Sequence, residues 1–252
     1  MVKKWIVDKG IQMEDIYGMD ESSFPPSSQG RTRVLGAHGM KTQHKQGRGV
    51  CTNVTALVTI CADGSALDLM IIFKGKHFIF GYSENGWTDG QLACKWIEKN
   101  FNAQTEDKAE GCPHVLLVDR YSLHHTFELL QYARAHNIII LGFPPHCTHA
   151  LQGLDIVCFA QMKEVWKTEI SNFEQLHKHN ITKADFMGVF GHAFLAAFTA
   201  ETIKAAFKAT GIWPFNPDVI STQQTKLSIP MSIKGSFPLP QPSPVHAVMA
   251  AF

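Results

Sequence analysis

The sequence predicts an α/β domain with a helical C-terminal section, and three observations carry that expectation. An apolar run, HVLLVD, stops abruptly at Asp119; a helix-like segment (123–136) follows it, then a second strand-length run, IIILGFP. Two β-rich runs, VTALVTI (54–60) and ALDLMIIF (66–73), flank the turn ADGS, which is a hairpin pattern. Beyond Asp155 the apolar residues Phe159, Met162, Trp166 and Ile170 recur at steps of three and four, marking one face of a helix over 155–171.

Taken in order, residues 2–9 read as the last turns of a helix stopped at Gly10. Residues 15–20 form a short strand ending in Asp20. Pro25 and Pro26, with Ser27, Ser28 and Gly30, open a loop. From Arg31 to Arg48 the chain carries Arg31, Arg33, Lys41, Lys45 and Arg48, with His38 and His44 and no acid. Such a stretch is either a solvated loop or an edge that contacts phosphates. The hairpin comes next, followed by KGK at 74–76. A helix is expected over 90–101 with Leu92, Trp96 and Ile97 on one face, and a polar loop over 102–112. Two more helices are expected over 181–198 and 200–211, the first starting near Thr182 or Lys183 and the second stopped by Gly211. The predicted organisation is the end of a preceding helix (1–14), one catalytic-type domain (15–217) and a flexible tail rich in Pro, Ser and Gln (218–252).

Composition narrows the function classes. A hydrophobic share of 45% and a charged share of 18% are ordinary for a globular protein, and 252 residues suffice for a sizeable core. A formal net charge of +1 excludes a uniformly basic nucleic-acid binder, while leaving room for a local patch. The six cysteines (51, 61, 94, 112, 147 and 158) form no CxxC pair and read as reduced thiols of an intracellular protein. Asp8 cuts the MVKKWIV stretch too early for a signal peptide, and no run approaches the roughly 18 apolar residues of a membrane span. His114, His124, His125, His146 and His149, with Cys112 and Cys147, match no common zinc-finger spacing.

The acids are more informative. Alone, Asp119 could fold the turn after its strand, and Asp155 could cap a helix. Together with Asp20 they suggest a cluster. If strands 15–20 and 114–119 lie side by side and parallel, their terminal acids converge at one sheet edge, where ligands of open α/β sheets gather. Three carboxylates in a small space need cations to offset their repulsion. Mg²⁺ suits such oxygen donors, and two-metal sites carry out in-line displacement at phosphorus.

Five motifs occur in a telling order: DESSF (20–24), MIIFKGK (70–76), LLVDRYSLH (116–124), PPHCTHALQGLD (144–155) and GIWPFNP (211–217). Over about residues 5–217 the sequence resembles the DDE superfamily endonuclease domain of pogo-like transposases, the Tc/mariner-related group that includes Tigger, jerky and centromere protein B relatives. The resemblance implies a ribonuclease H-like fold: a mixed five-stranded sheet flanked by helices, with the first two acids on adjacent central strands. It implies that Asp20, Asp119 and Asp155 are catalytic and hold two Mg²⁺ (or Mn²⁺) ions. It further implies DNA as partner, allows a homodimer and no membrane, and places the activity in the nucleus. The spacing from Asp119 to Asp155 is 36 positions, which fits the pogo-like branch.

Two departures from the family pattern stand out. Arg120, Tyr121 and Leu123 occupy positions where relatives carry small or polar residues, and Gly153 replaces a proline, which is expected to loosen the loop that aims Asp155. The chain also lacks the helix-turn-helix half that precedes such domains. It therefore reads as a fragment or truncated copy, or as a domesticated DNA- or chromatin-binding protein whose catalytic fold is inactive.

Overall fold

Strand β1 (Ile16–Phe24) is the spine of the molecule, paired along its length on one side and along half its length on the other. The computed structural model describes residues 2–27, 54–74, 82–83, 90–119, 126–144 and 148–220. The five cations between Arg31 and Arg48, the Arg120–Tyr121–Leu123 departure and the tail beyond Ile220 lie outside the described residues.

On one side β1 pairs antiparallel with β2 (Val54–Cys61), from Tyr17 opposite Cys61 to Phe24 opposite Val54. The predicted hairpin is present. Gly64 turns it with φ +102°, and the Asp63 carboxylate accepts from the backbone and hydroxyl of Ser65. Its return strand β3 (Met70–Lys74) is shorter than expected. Ala66 bridges Ile60, but Met70 pairs with Leu57, so one extra residue is accommodated on the return side, as in a bulge.

On the other side β1 pairs in parallel with β5 (His114–Val118), and β5 pairs in parallel with β6 (Ile138–Gly142). The two-residue β4 (Tyr82–Ser83) adds to β3 at the far edge. The order is β4-β3-β2-β1-β5-β6, so the expected five-stranded mixed sheet is present with one short edge strand added. The all-buried pattern of β2 and β5 follows from helices covering both faces.

One face is covered by α1 (Gly90–Trp96), a π-helical turn (Ile97–Asn102), α2 (Ala103–Ala109) and α3 (Phe127–Ala135). Their buried residues Trp96, Ile97, Phe101, Leu129 and Ala133 pack with Tyr17, Met19, Leu116 and Val118 of the sheet. The loop expected over 102–112 is thus largely helical. Phe101, Thr105 and Ala109, four apart, are all buried, and the Thr105 hydroxyl donates to the Phe101 carbonyl at 2.9 Å. A polar composition hid this face because a threonine that satisfies itself within the helix can serve as a core residue.

The opposite face carries α4 (Thr148–Leu151), a π-helical turn (Leu154–Cys158), α5 (Phe159–His177), α6 (Lys183–Ala197) and α7 (Ala200–Ala209). All four residues of the predicted α5 stripe, Phe159, Met162, Trp166 and Ile170, are buried. Thr182 caps α6 through a reciprocal box with Asp185. Trp166, Phe186, Phe190 and Phe24 form an aromatic cluster with ring centroids 5.0–6.5 Å apart. Trp166 Nε1 also donates to the Pro25 carbonyl at 2.9 Å, tying the helical layer to the far end of β1. Among the described residues no single helix is long and apolar enough to cross a membrane.

Candidate active site

The parallel ladder between β1 and β5 ends where Met19 stands opposite Val118. The next residues along each strand are Asp20 and Asp119. The two acids therefore leave the ladder side by side on adjacent central strands. Here the expectation for Asp20 needs one correction: it does not end its strand. β1 runs on to Phe24, because Glu21, Ser22 and Ser23 keep pairing with Leu57, Ala56 and Thr55 of β2. The hydroxyl-rich composition of this stretch masked a strand whose pairing comes from its neighbour.

Side chains alternate along a strand, so Asp20 shares its face with Ile16 and Phe24, which belong to the core beneath α5–α7. That face is where Asp155 arrives. It sits in the turn Leu154–Cys158, whose Leu154 and Cys158 are buried and whose Asp155 is exposed. The expectation that Gly153 loosens this segment is overturned. Gly153 is helical, with φ −63° and ψ −30°, and a Cβ at that position would stand 2.6 Å from the Ala206 carbonyl oxygen. The glycine lets α7 press directly on the turn, so Asp155 is aimed by packing.

Electrostatics link the three acids. Asp20 is only 7% exposed, and its carboxyl is held well above the usual range, first by burial and then by the charge of Asp155, with Asp119 adding to the effect. The Glu21 N–H donates to Asp20 Oδ1 at 2.8 Å and partly opposes that rise. Asp155 is also raised, first because neighbouring protein partly shields its carboxyl from water although the residue is exposed; Lys163 draws it down and Asp119 pushes it up. The donor set is all carboxylate oxygen, which fits Mg²⁺ or Mn²⁺ and neither zinc thiolate nor imidazole chemistry. Among the described residues no three His, Cys, Asp or Glu are close enough to form a ready-made cage. The acids feel one another without being drawn into a single group.

One polar residue here escaped the sequence reading. Gln152, directly before Gly153, is 2% exposed and its amide faces Asp20 closely enough to favour the ionised carboxylate. It is outside hydrogen-bond geometry, however, and neither amide atom has a partner among the described residues. Its signals in the sequence were its place in the motif PPHCTHALQGLD and a lone amide among the apolar residues of ALQGL. His114, weighed as a zinc ligand, is instead a core residue, 2% exposed, its ring tilted against that of Phe101 with centroids 5.6 Å apart; burial lowers its pKa.

A family model described as DDE superfamily endonuclease matches residues 52–207, a span that holds Asp119 and Asp155 and begins after Asp20. Among curated proteins, the chain is 31% identical over 223 residues to a protein of Cochliobolus lunatus named MFS-type transporter clz9. It is 37% identical over 62 residues to chaetoglobosin A biosynthesis cluster protein C of Chaetomium globosum. These matches cover 82% and 24% of this chain, but the chain spans only 24% and 15% of the relatives' own lengths. Among solved structures, a pre-cleavage Mos1 transpososome matches with a TM-score of 0.61 at 11% identity, covering 84% of this chain and 57% of that one. A Mos1 mariner paired end complex with Mn gives 0.60 at 11% identity, covering 89% and 59%. The Mos1 catalytic domain alone gives 0.51 at 11% identity, with 84% of each chain covered. The shared architecture is the ribonuclease H-like sheet with helices on both faces.

Proposed function

Because the chain belongs to the DDE superfamily endonuclease family, matched over residues 52–207, we propose that it is the catalytic part of a pogo-like transposase that cleaves and transfers DNA strands with divalent cations. The observation that carries this reading is the level exit of Asp20 and Asp119 from the parallel ladder after Met19 and Val118. One residue past that last rung, each of two neighbouring strands carries a carboxylate, which supports a shared cation site.

In this reading Asp20, Asp119 and Asp155 supply oxygen ligands to two Mg²⁺ or Mn²⁺ ions. Bound there, the ions would stabilise the attacking and leaving oxygens of an in-line displacement at phosphorus. The protein's own part is placement and charge. β1 and β5 fix two of the acids, and the Glu21 N–H orients the Asp20 carboxylate. The packed turn carries the third, with Lys163 tempering its charge. For cleavage a water attacks phosphorus and the bond to the DNA 3′-oxygen breaks, leaving a 3′-hydroxyl and a 5′-phosphate; for strand transfer that 3′-hydroxyl attacks a target phosphorus and the target strand's own 3′-oxygen leaves. The partner is DNA, the setting the nucleus, and the basic residues Arg31, Arg33, Lys41, Lys45 and Arg48 would meet its phosphates. The structures with Mn and with Mg of the Mos1 paired end complex support the choice of cation.

A second reading, a domesticated DNA- or chromatin-binding protein with an inactive fold, draws on the open arrangement of the three acids. Nicking of DNA that carries the matching transposon ends separates the two. Activity in Mg²⁺ or Mn²⁺ that disappears in Asp119→Asn supports the transposase. No cation binding at millimolar Mn²⁺ leaves the scaffold.

A further inference from the structure

A buried amide without a partner gives up its hydrogen bonds to water and gains none, so a core position with no polar task is better filled by Leu or Met. Gln152 breaks that rule beside the candidate site. It is 2% exposed, both its amide atoms lack partners among the described residues, and its chain neighbours Ala150 and Leu154 are ordinary apolar core. Its surroundings give the amide a direction and space. The amide faces Asp20, whose Oδ1 is already taken by the Glu21 N–H at 2.8 Å, leaving Oδ2. A cavity of about 20 Å³, lined by Gly18, Met19, Leu117, Phe143 and Gln152 among others, lies against the side chain and leaves room beside it.

We propose that Gln152 is a positioning residue for Asp20: as the three acids close on divalent cations, Gln152 Nε2 donates to Asp20 Oδ2 and fixes which oxygen lone pairs face the metals. This rests on the metal-site reading above. The Glu21 N–H and the Gln152 amide then hold the carboxylate from two sides, and its remaining lone pairs point into the space shared with Asp119 and Asp155. Partners of this kind change metal affinity by about 10–100-fold when removed.

The test is Mn²⁺ affinity of the whole chain, read by electron paramagnetic resonance of the free ion, for wild type, Gln152→Met, Gln152→Asn and Asp20→Asn. Thermal unfolding in chelator is measured alongside. Gln152→Met keeps the volume and removes the unpaired amide. It is expected to bind Mn²⁺ at least tenfold more weakly while unfolding at the same or a higher temperature without metal. A residue of purely structural importance gives the opposite pair, a lower unfolding temperature with unchanged affinity, and that result overturns the inference. Should Gln152→Met fail to fold, Gln152→Asn, which withdraws the amide by one methylene, is expected to show the same loss of affinity, and unchanged affinity there is equally fatal. If wild type binds no Mn²⁺, or binds it no better than Asp20→Asn, the metal-site reading falls and takes this inference with it. If wild type binds well and both Gln152 variants match it, only Gln152's role falls.

Discussion

A methyl group placed on Gly153 would stand 2.6 Å from the carbonyl oxygen of Ala206, and 2.9 Å from its carbonyl carbon. Backbone is on the receiving side, so no side-chain rotation relieves the contact. Gly153→Ala is therefore expected to push α7 away from the turn that carries Asp155. Overpacking of this kind costs about 1–3 kcal/mol, which a thermal melt reads as a drop of several degrees. Melting unchanged from wild type would show that the turn is not held by α7.

Asp20 gives the fold a pH dependence of definite sign. A carboxyl whose folded pKa is raised stabilises the protein only while protonated. That contribution is complete below the ordinary value of 3.8 and disappears as the pH climbs through the higher folded value. Without metal, the unfolding temperature should fall as the pH rises from about 4 toward neutrality. Asp20→Asn should flatten this profile and melt higher than wild type at pH 7. Divalent cation should raise the wild-type melting temperature and leave that of Asp20→Asn unmoved.

Asp63 at the hairpin turn predicts the reverse trend. Burial would raise its carboxyl, but hydrogen bonds from Lys108, at 2.6 Å, and from Ser65 outweigh it and bring the pKa to about 2. Its stabilisation is present above the ordinary 3.8 and is lost as the pH falls toward 2. Lys108 is partly exposed, so solvent screens the pair and Asp63→Asn should cost about 1 kcal/mol or less at pH 7. Acid titrations of wild type and variant should converge near pH 2, and curves that stay parallel would contradict the assignment.

Binding to DNA is the fourth expectation. Changing Arg31, Arg33, Lys41, Lys45 and Arg48 to Ala should weaken binding to all sequences alike and reduce its steep dependence on salt. Fluorescence anisotropy with unrelated duplexes measures both effects. Loss confined to one sequence would point to base recognition rather than phosphate contact.

Where pattern and packing coincide, the chain was readable. The α5 stripe, the hairpin and the acids after Met19 and Val118 all follow from the period of apolar residues and from where each run stops. Reading failed where a neighbouring element decided the outcome. Residues 21–24 are strand because β2 lies beside them, and α2 is helix because Phe101, Thr105 and Ala109 bury one face, the Thr105 hydroxyl being satisfied by its own backbone. Gly153 looked like lost rigidity, since a glycine's role depends on what approaches it, and Ala206 is 53 positions away in the sequence. Gln152 carried no periodic signal, and its buried amide without a partner is visible in the folded chain alone.

The pairing of Phe24 with Val54 sets the two ends of the intervening segment on one rung of the sheet. Arg31 is six residues beyond Pro25, whose carbonyl is pinned by Trp166, and Arg48 is six residues before Val54. Asp20 lies four residues from that rung, about 13 Å along the strand. Loss of that one rung would therefore release both ends of the segment at once.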